Sequence, residues 1–261
     1  MDNVSKPTIL FLGATGGCTL AALVHTLNAG YACIALVRKP TKLTNLLITA
    51  GIHESTLNSL LTIHAGNALH VPTMKETLLI GSGDNKKLPD TIISGLGGAP
   101  KFQFWLPPVT IDQPNICQTG AATLVAALSE IYTTYPRLQL SKPLLCFVST
   151  GGIHKGDDDV TWVHQVLYHS LLSIPFKDKK EMDIIFLGKE GSSNFRSVIA
   201  VKPTILTEGP ELGMEILRVG KRQKPAVGYI VSKRDVGGWI YRAVILGDGK
   251  GWEKELVTIT Y

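Results

Sequence analysis

The sequence predicts an α/β fold, a doubly wound parallel sheet with a small C-terminal substrate-binding region. Two observations carry this. First, Thr8–Pro40 runs as short apolar stretch, glycine turn, amphipathic segment, second apolar stretch, which is a βαβ unit. Second, short apolar runs of strand length recur at Leu60–His64, Thr91–Ser94, Leu144–Val148 and Ser197–Val201, with helix-length segments between most of them. The 261 residues, 44% of them hydrophobic, suffice for one large core.

Within the first unit, Thr8–Leu12 is the strand, and Gly13, Gly16 and Gly17 punctuate the turn around Thr15. Thr19–Asn28 is the helix, with Leu20, Leu23, Val24 and Leu27 at helical spacing. Gly30 closes it, and Ala32–Val37 is the second strand. Glycines between a strand and a helix start let a backbone approach a pyrophosphate at the helix N-terminus, where Cys18 also lies. The residue closing the second strand reports on the nucleotide. An acid there would suit the ribose hydroxyls of NAD, whereas this chain has Arg38, Lys39 and Lys42. A cationic fork suits a 2′-phosphate and hence NADP(H). A solvated basic turn is the alternative.

These residues resemble the NmrA-like, atypical branch of the short-chain dehydrogenase/reductases, with its Rossmann nucleotide fold. GATGG at 13–17 and VRKP at 37–40 carry the likeness, followed in order by SGLGG at 94–98, VSTGG at 148–152, KPTILTEGP at 202–210 and SKRDVGGWI at 232–240. The branch commonly places a third glycine where this chain has Thr19. The helix then stands further from the strand, or the hydroxyl meets a phosphate. By resemblance, Asn67 faces the adenine, Gly95 and Gly97 let the dinucleotide pass, and Pro203 to Leu206 meet the nicotinamide carboxamide. Lys179, in the segment resembling the branch's Asp-Lys-x-x-Met-Glu helix, is a cofactor or a structural lysine. For Asn67, a plain capped turn is the competing reading.

Along the rest of the chain, helices are expected at Thr41–Ala50, Val71–Ile80, Gln118–Tyr132, about 158–172, Lys177–Phe186 and Ser232–Ile245. Residues 81–90 read as a breaker-rich surface loop. The connection 99–117 holds four prolines with Phe102, Phe104 and Trp105, so no continuous helix is expected there. Its aromatics suit a large, apolar or aromatic substrate, or else tuck into the core. Tyr229–Val231 is a possible seventh strand. Leu256–Tyr261 alternates as a terminal strand. The chain reads as a single domain, with a cofactor half to about 150 and a pocket half after it.

The usual short-chain chemistry needs a serine, a tyrosine and a lysine four residues beyond the tyrosine. Ser149 stands at the serine position by resemblance, but thirteen residues on lies Trp162, and four beyond that Val166. An indole donates a hydrogen bond and is no acid near neutral pH. Near that helix remain Ser149, Thr150, His154, Lys155, Asp159, Trp162, His164 and His169; of these Asp159 and Trp162 are spaced i, i+3 and so share one helix face. Asp159 could balance a cationic iminium and Trp162 could stack on a flat substrate. Helix capping and core packing are the competing readings. The pair resembles the substrate site of fungal reductase/Diels–Alderases of bridged diazaoctane indole alkaloid biosynthesis. That likeness implies reduction of an iminium or enone, coupled to a cycloaddition of the product. An NADP(H)-sensing regulator and a redox-neutral pericyclase or isomerase are the readings from other classes.

The net charge of +5 is dispersed apart from short runs such as Lys221, Arg222 and Lys224, which read as solvated faces, so no nucleic-acid partner is expected. Cys18, Cys33, Cys117 and Cys146 form no CxxC pair and read as reduced core thiols. The scattered histidines give no metal spacing, and no GxSxG elbow or Walker A loop is present. A cytoplasmic protein with a small-molecule substrate, no membrane span and an open oligomeric state is expected.

Overall fold

The computed structural model describes residues 6–98, 100–102, 109–153 and 173–261. Its centre is an eight-stranded sheet. β1 (Ile9–Leu12), β2 (Cys33–Val37), β3 (Leu61–Ala65) and β4 (Thr91–Ser94) form one half. β7 (Leu144–Val148), β8 (Ser197–Pro203), β12 (Leu256–Thr260) and β10 (Arg218–Gly220) form the other. The spatial order is β10-β12-β8-β7-β4-β1-β2-β3, parallel throughout except for β10, which runs antiparallel to β12. The order reverses between β1 and β4, and a doubly wound sheet opens its ligand crevice at that switch point.

Each strand sends alternate side chains to opposite faces, and both faces are covered. On one side, Ile9, Phe11, Ile93, Cys146, Val201 and Val257 pack under α1 (Gly17–Asn28) and α8 (Lys233–Trp239). On the other, Leu10, Leu12, Ile92, Phe147 and Ala200 meet α4 (Val71–Leu78), α5 (Ile116–Thr134) and α6 (Ser173–Leu187). The expected helix 41–50 is α2 (Pro40–Thr49).

Several expectations change. α3 (Glu54–Leu60), a two-turn helix beyond those expected from sequence, precedes β3. The 81–90 loop contains a 3-10 turn at Gly83–Asn85. The connection 99–117 includes an antiparallel pair, β5 (Pro100–Phe102) with β6 (Val109–Ile111). Phe104 and Trp105 lie outside the described residues. Tyr229–Val231 is not a seventh strand of the main sheet. Instead β11 (Ile230–Ser232) pairs in parallel with β9 (Ile205–Thr207) as a separate two-stranded unit. α8 stops at Trp239 and continues as a π-helix, Ile240–Leu246, whose wider winding buries Ile240, Val244 and Ile245 together. α7 (Lys189–Ser192) is a single turn.

β12 also departs from its pattern. Apolar–polar alternation predicts one wet face, yet Thr258 and Thr260 are buried. The Thr258 hydroxyl oxygen accepts from the Ala226 amide at 2.6 Å, and Thr260 shares a hydroxyl–hydroxyl hydrogen bond with Thr204 at 3.0 Å. The polar face of the strand is thus covered by the 204–230 segment, and β10 covers its edge.

Candidate functional site

A cavity of about 380 Å³ opens at the carboxyl ends of β1, β4, β7 and β8. It runs from the glycine turn, through Gly16, Gly17, Cys18 and Thr19, past Gly95, Leu96 and Gly97, to Ser149 and Thr150. Pro203, Thr204, Ile205 and Leu206 form a further wall, with Pro175, Phe176, Tyr229, Lys179 and Lys233 around it. Seven of the residues assigned to a cofactor from sequence therefore share one cavity with the assigned serine: Gly16, Gly17, Cys18, Gly95, Gly97, Pro203 and Leu206.

The turn's glycines fit a close-approaching ligand for concrete reasons. Gly13 has φ +74°, and a Cβ there would come within 2.6 Å of the Gly95 carbonyl oxygen. No side chain other than hydrogen is compatible with both. A Cβ on Gly97 would meet nothing within 4 Å, so its bare face is open space. α1 begins with no side-chain cap and no acid in its first turn. Its N-terminal amides and its dipole are left facing the cavity end, as an anion site requires. The residues present thus fit a dinucleotide's diphosphate.

Thr19 is the departure from the glycine pattern, and the structure shows how it is absorbed. The side chain is 1% exposed and lies against Gly95, where an added Cβ would overlap the Thr19 hydroxyl oxygen. The glycine missing from the helix is matched by one at the end of β4.

Beyond the cavity, Arg38 is exposed directly after β2, and Lys42 is exposed on α2. Thr15, half-buried in the turn, is not part of the lining. Asn67 is exposed, and its side-chain oxygen accepts from the Leu69 amide at 3.1 Å. That is the capped turn weighed against the adenine reading. The Asn67 NH₂ and the second lone pair of that oxygen are what it has to offer a base.

Ser149 is 3% exposed, and its hydroxyl donates to Asp183 at 2.6 Å, where Asp183 is 1% exposed on α6. With its proton committed to a carboxylate, Ser149 offers lone pairs to the cavity. Lys179 donates to the Val148 carbonyl at 2.6 Å and to Leu96 O at 3.3 Å. It ties the ends of two strands together and adds positive charge to the cavity wall. Its neighbour Asp178, the aspartate of the same motif, accepts from the amides of Cys117 and Gln118 at 3.0 and 2.8 Å and so caps α5, a role the sequence does not announce. Asp159 and Trp162 lie outside the described residues, as do His154, Lys155, His164 and His169.

The four cysteines are buried and free. Burial pushes Cys18 up to about 12 and Cys117 up to about 11, and raises Cys33 and Cys146 as well, so these thiols stay protonated near neutral pH. Among the described residues no cluster of three metal-ligating side chains occurs, and no helix is long and apolar enough to cross a membrane.

No protein-family model matches the chain. Oxidase pynE of Aspergillus niger is 40% identical over 281 residues, covering 98% of this chain and 99% of that protein. Reductase pytE of Aspergillus terreus is 38% identical over 268 residues, with the same coverage of both. The chain belongs to the family of these two proteins. The fold of this chain is also seen in a short-chain dehydrogenase/reductase from Veillonella parvula, solved in complex with NADP. It superposes with a TM-score of 0.66 at 13% identity, over 98% of this chain and 94% of that one. The Rossmann-type fold is thereby shown, with short-chain dehydrogenase/reductases as its neighbours.

Proposed function

We propose that this chain is an NADP(H)-dependent oxidoreductase that reduces a bulky, flat substrate, an iminium or an enone of secondary metabolism. The observation that supports it best is the continuity of the cavity. The glycine turn that would hold a diphosphate and the Ser149 end belong to one space, so a cofactor and a substrate can meet there. Arg38, exposed at the end of β2, has the position and the planar donor fork for a 2′-phosphate. When bound, NADPH supplies the hydride.

What this chain's own residues contribute follows from their hydrogen bonds. The Ser149 hydroxyl donates its hydrogen bond to Asp183 and can accept from a ligand N–H, so it is poorly placed to polarise a carbonyl as a donor. A protonated imine suits such a group and arrives already activated, which makes the absent tyrosine–lysine pair unimportant. Phe176, Tyr229, Ile205 and Leu206 give the same space an apolar lining that suits a flat ring system. The names oxidase and reductase given to the two relatives fit hydride transfer in either direction. A cycloaddition after reduction would rest on Asp159 and Trp162.

Fluorescence titration with NADPH and NADH tests the cofactor reading. NADPH is expected to bind more tightly, and Arg38→Ala to remove about tenfold or more of that preference, the scale of one charge-assisted hydrogen bond. Equal affinity of the wild type for both nucleotides would sink the 2′-phosphate assignment. Mixing the NADPH complex with cyclic iminium and enone probes then reads turnover. Tight NADPH binding with oxidation by none of them favours a redox-sensing regulator.

A further inference from the structure

We infer that Lys233 holds the cofactor's diphosphate and that Glu208 is the resident anion it leaves to do so; the inference rests on the NADP(H) reading above. Four observations meet at this residue.

The first is Gly17. Unlike Gly13 it has no positive φ, so its backbone does not demand glycine. What demands it is the Lys233 stem, which crosses its bare face; an added Cβ would overlap Cδ and lie 3.1 Å from the Lys233 Cβ. The stem therefore lies on the first residue of α1, at the end of the cavity where a diphosphate meets the helix amides.

Second, Lys233 stands where its own helix does not favour it. It is the first residue of α8, following the Ser232 cap, and a cation there opposes the helix dipole. A local rule broken without gain to the element points to a functional use.

Third, the ammonium is paired with Glu208, which is exposed. Such a pair is weak and readily exchanged. A phosphate at the α1 N-terminus offers a doubly supported partner, the lysine on one side and helix amides on the other.

Fourth, the potential at that helix end follows these groups. Burial raises the Cys18 thiol, Lys233 and then Lys179 oppose that rise, and Glu208 adds to it. Removing Glu208 from the ammonium leaves a more positive α1 terminus.

The test is nucleotide affinity, read by fluorescence titration of the whole chain. Lys233→Met keeps the stem over Gly17 and removes the charge. It should weaken NADPH about tenfold, while 2′-AMP, which lacks the diphosphate, binds as it does to wild type. Lys233→Arg should restore most of the NADPH affinity. Glu208→Gln should tighten NADPH about threefold, a change of sign that misfolding cannot imitate. If Lys233→Met binds NADPH within about twofold of wild type while Arg38→Ala weakens it, Lys233 is not on the diphosphate and the cofactor reading stands. Weaker NADPH binding by Glu208→Gln overturns its role as the displaced anion. A wild type that binds no nucleotide overturns this inference and the NADP(H) reading together.

Discussion

Asp178 and Asp183, one turn and a little apart on α6, are both buried and do different work. Asp183 accepts the hydrogen bond of the Ser149 hydroxyl at the cavity. Asp178 reaches across to the start of α5, where the N-cap residue, Asn115, has φ +65° and makes no side-chain cap of its own. The helix borrows its cap from another element, and an anion at an N-terminus also meets the favourable end of the dipole. Asp178→Asn keeps an acceptor but loses the charge and one of the two accepting oxygens. It should cost about 1–2 kcal/mol, seen as a lower urea midpoint with an unchanged slope. A midpoint equal to the wild type's would mean that α5 does not depend on this cap. The motif around Asp178 and Lys179 was visible in sequence, but the cap was not, because its partner amides lie far along the chain at Cys117 and Gln118.

Between elements, the closest approach in the site is α1 against the end of β4, where Gly13, Thr19 and Gly95 share one small space. Gly95→Ala should overpack it by about 1–3 kcal/mol. Thr19→Ala in the same chain should recover most of the loss, because it removes the hydroxyl that the new methyl meets. Thermal unfolding of the two single variants and the double variant reads the coupling, and simple additivity would refute the contact. Much of this layer was legible in sequence. The strands at Thr91–Ser94 and Leu144–Val148 fall where their apolar runs place them, since strands buried on both faces are continuous in sequence. The glycine turn was legible for the same local reason. What escaped depends on segments meeting from afar. Thr19 is tolerated only because residue 95 is glycine, and Gly17 is bare because Lys233 crosses it. β12 looked half-wet because nothing local announces that residues 204–230 cover its threonines.

At the scale of the whole molecule, the wall of the cavity formed by β9, Tyr229 and the start of α8 is joined to the rest through Asp235. This carboxylate is fully buried and accepts from the Ser232 hydroxyl at 2.7 Å, the Tyr261 hydroxyl at 2.5 Å, and the amides of Leu212 and Gly213 at 2.9 and 2.8 Å. Helix α8, in whose first turn it stands, lies directly on α1. A Cβ on Gly237 would approach the Cys18 carbonyl oxygen and the Ala22 amide within 2.7 Å. Burial pushes the Asp235 carboxyl up, but the hydrogen bonds from Tyr261, Leu212, Ser232 and Gly213 outweigh it and hold it below its ordinary 3.8. Tyr261 is raised above 10.0, by burial first and then by its bond to Asp235. The two shifts act on opposite sides of neutrality. A depressed carboxyl contributes stability that is full above pH 3.8 and is lost as the pH falls toward its folded value. A raised phenol contributes stability that is full below pH 10.0 and is lost as the pH rises toward its folded value. In urea unfolding, the gap between wild type and Asp235→Asn should therefore be widest near neutral pH and shrink below pH 3.8. The gap to Tyr261→Phe should shrink above pH 10.0. Gaps that keep one size across the whole range would show that this junction holds through packing, with no contribution from ionisation.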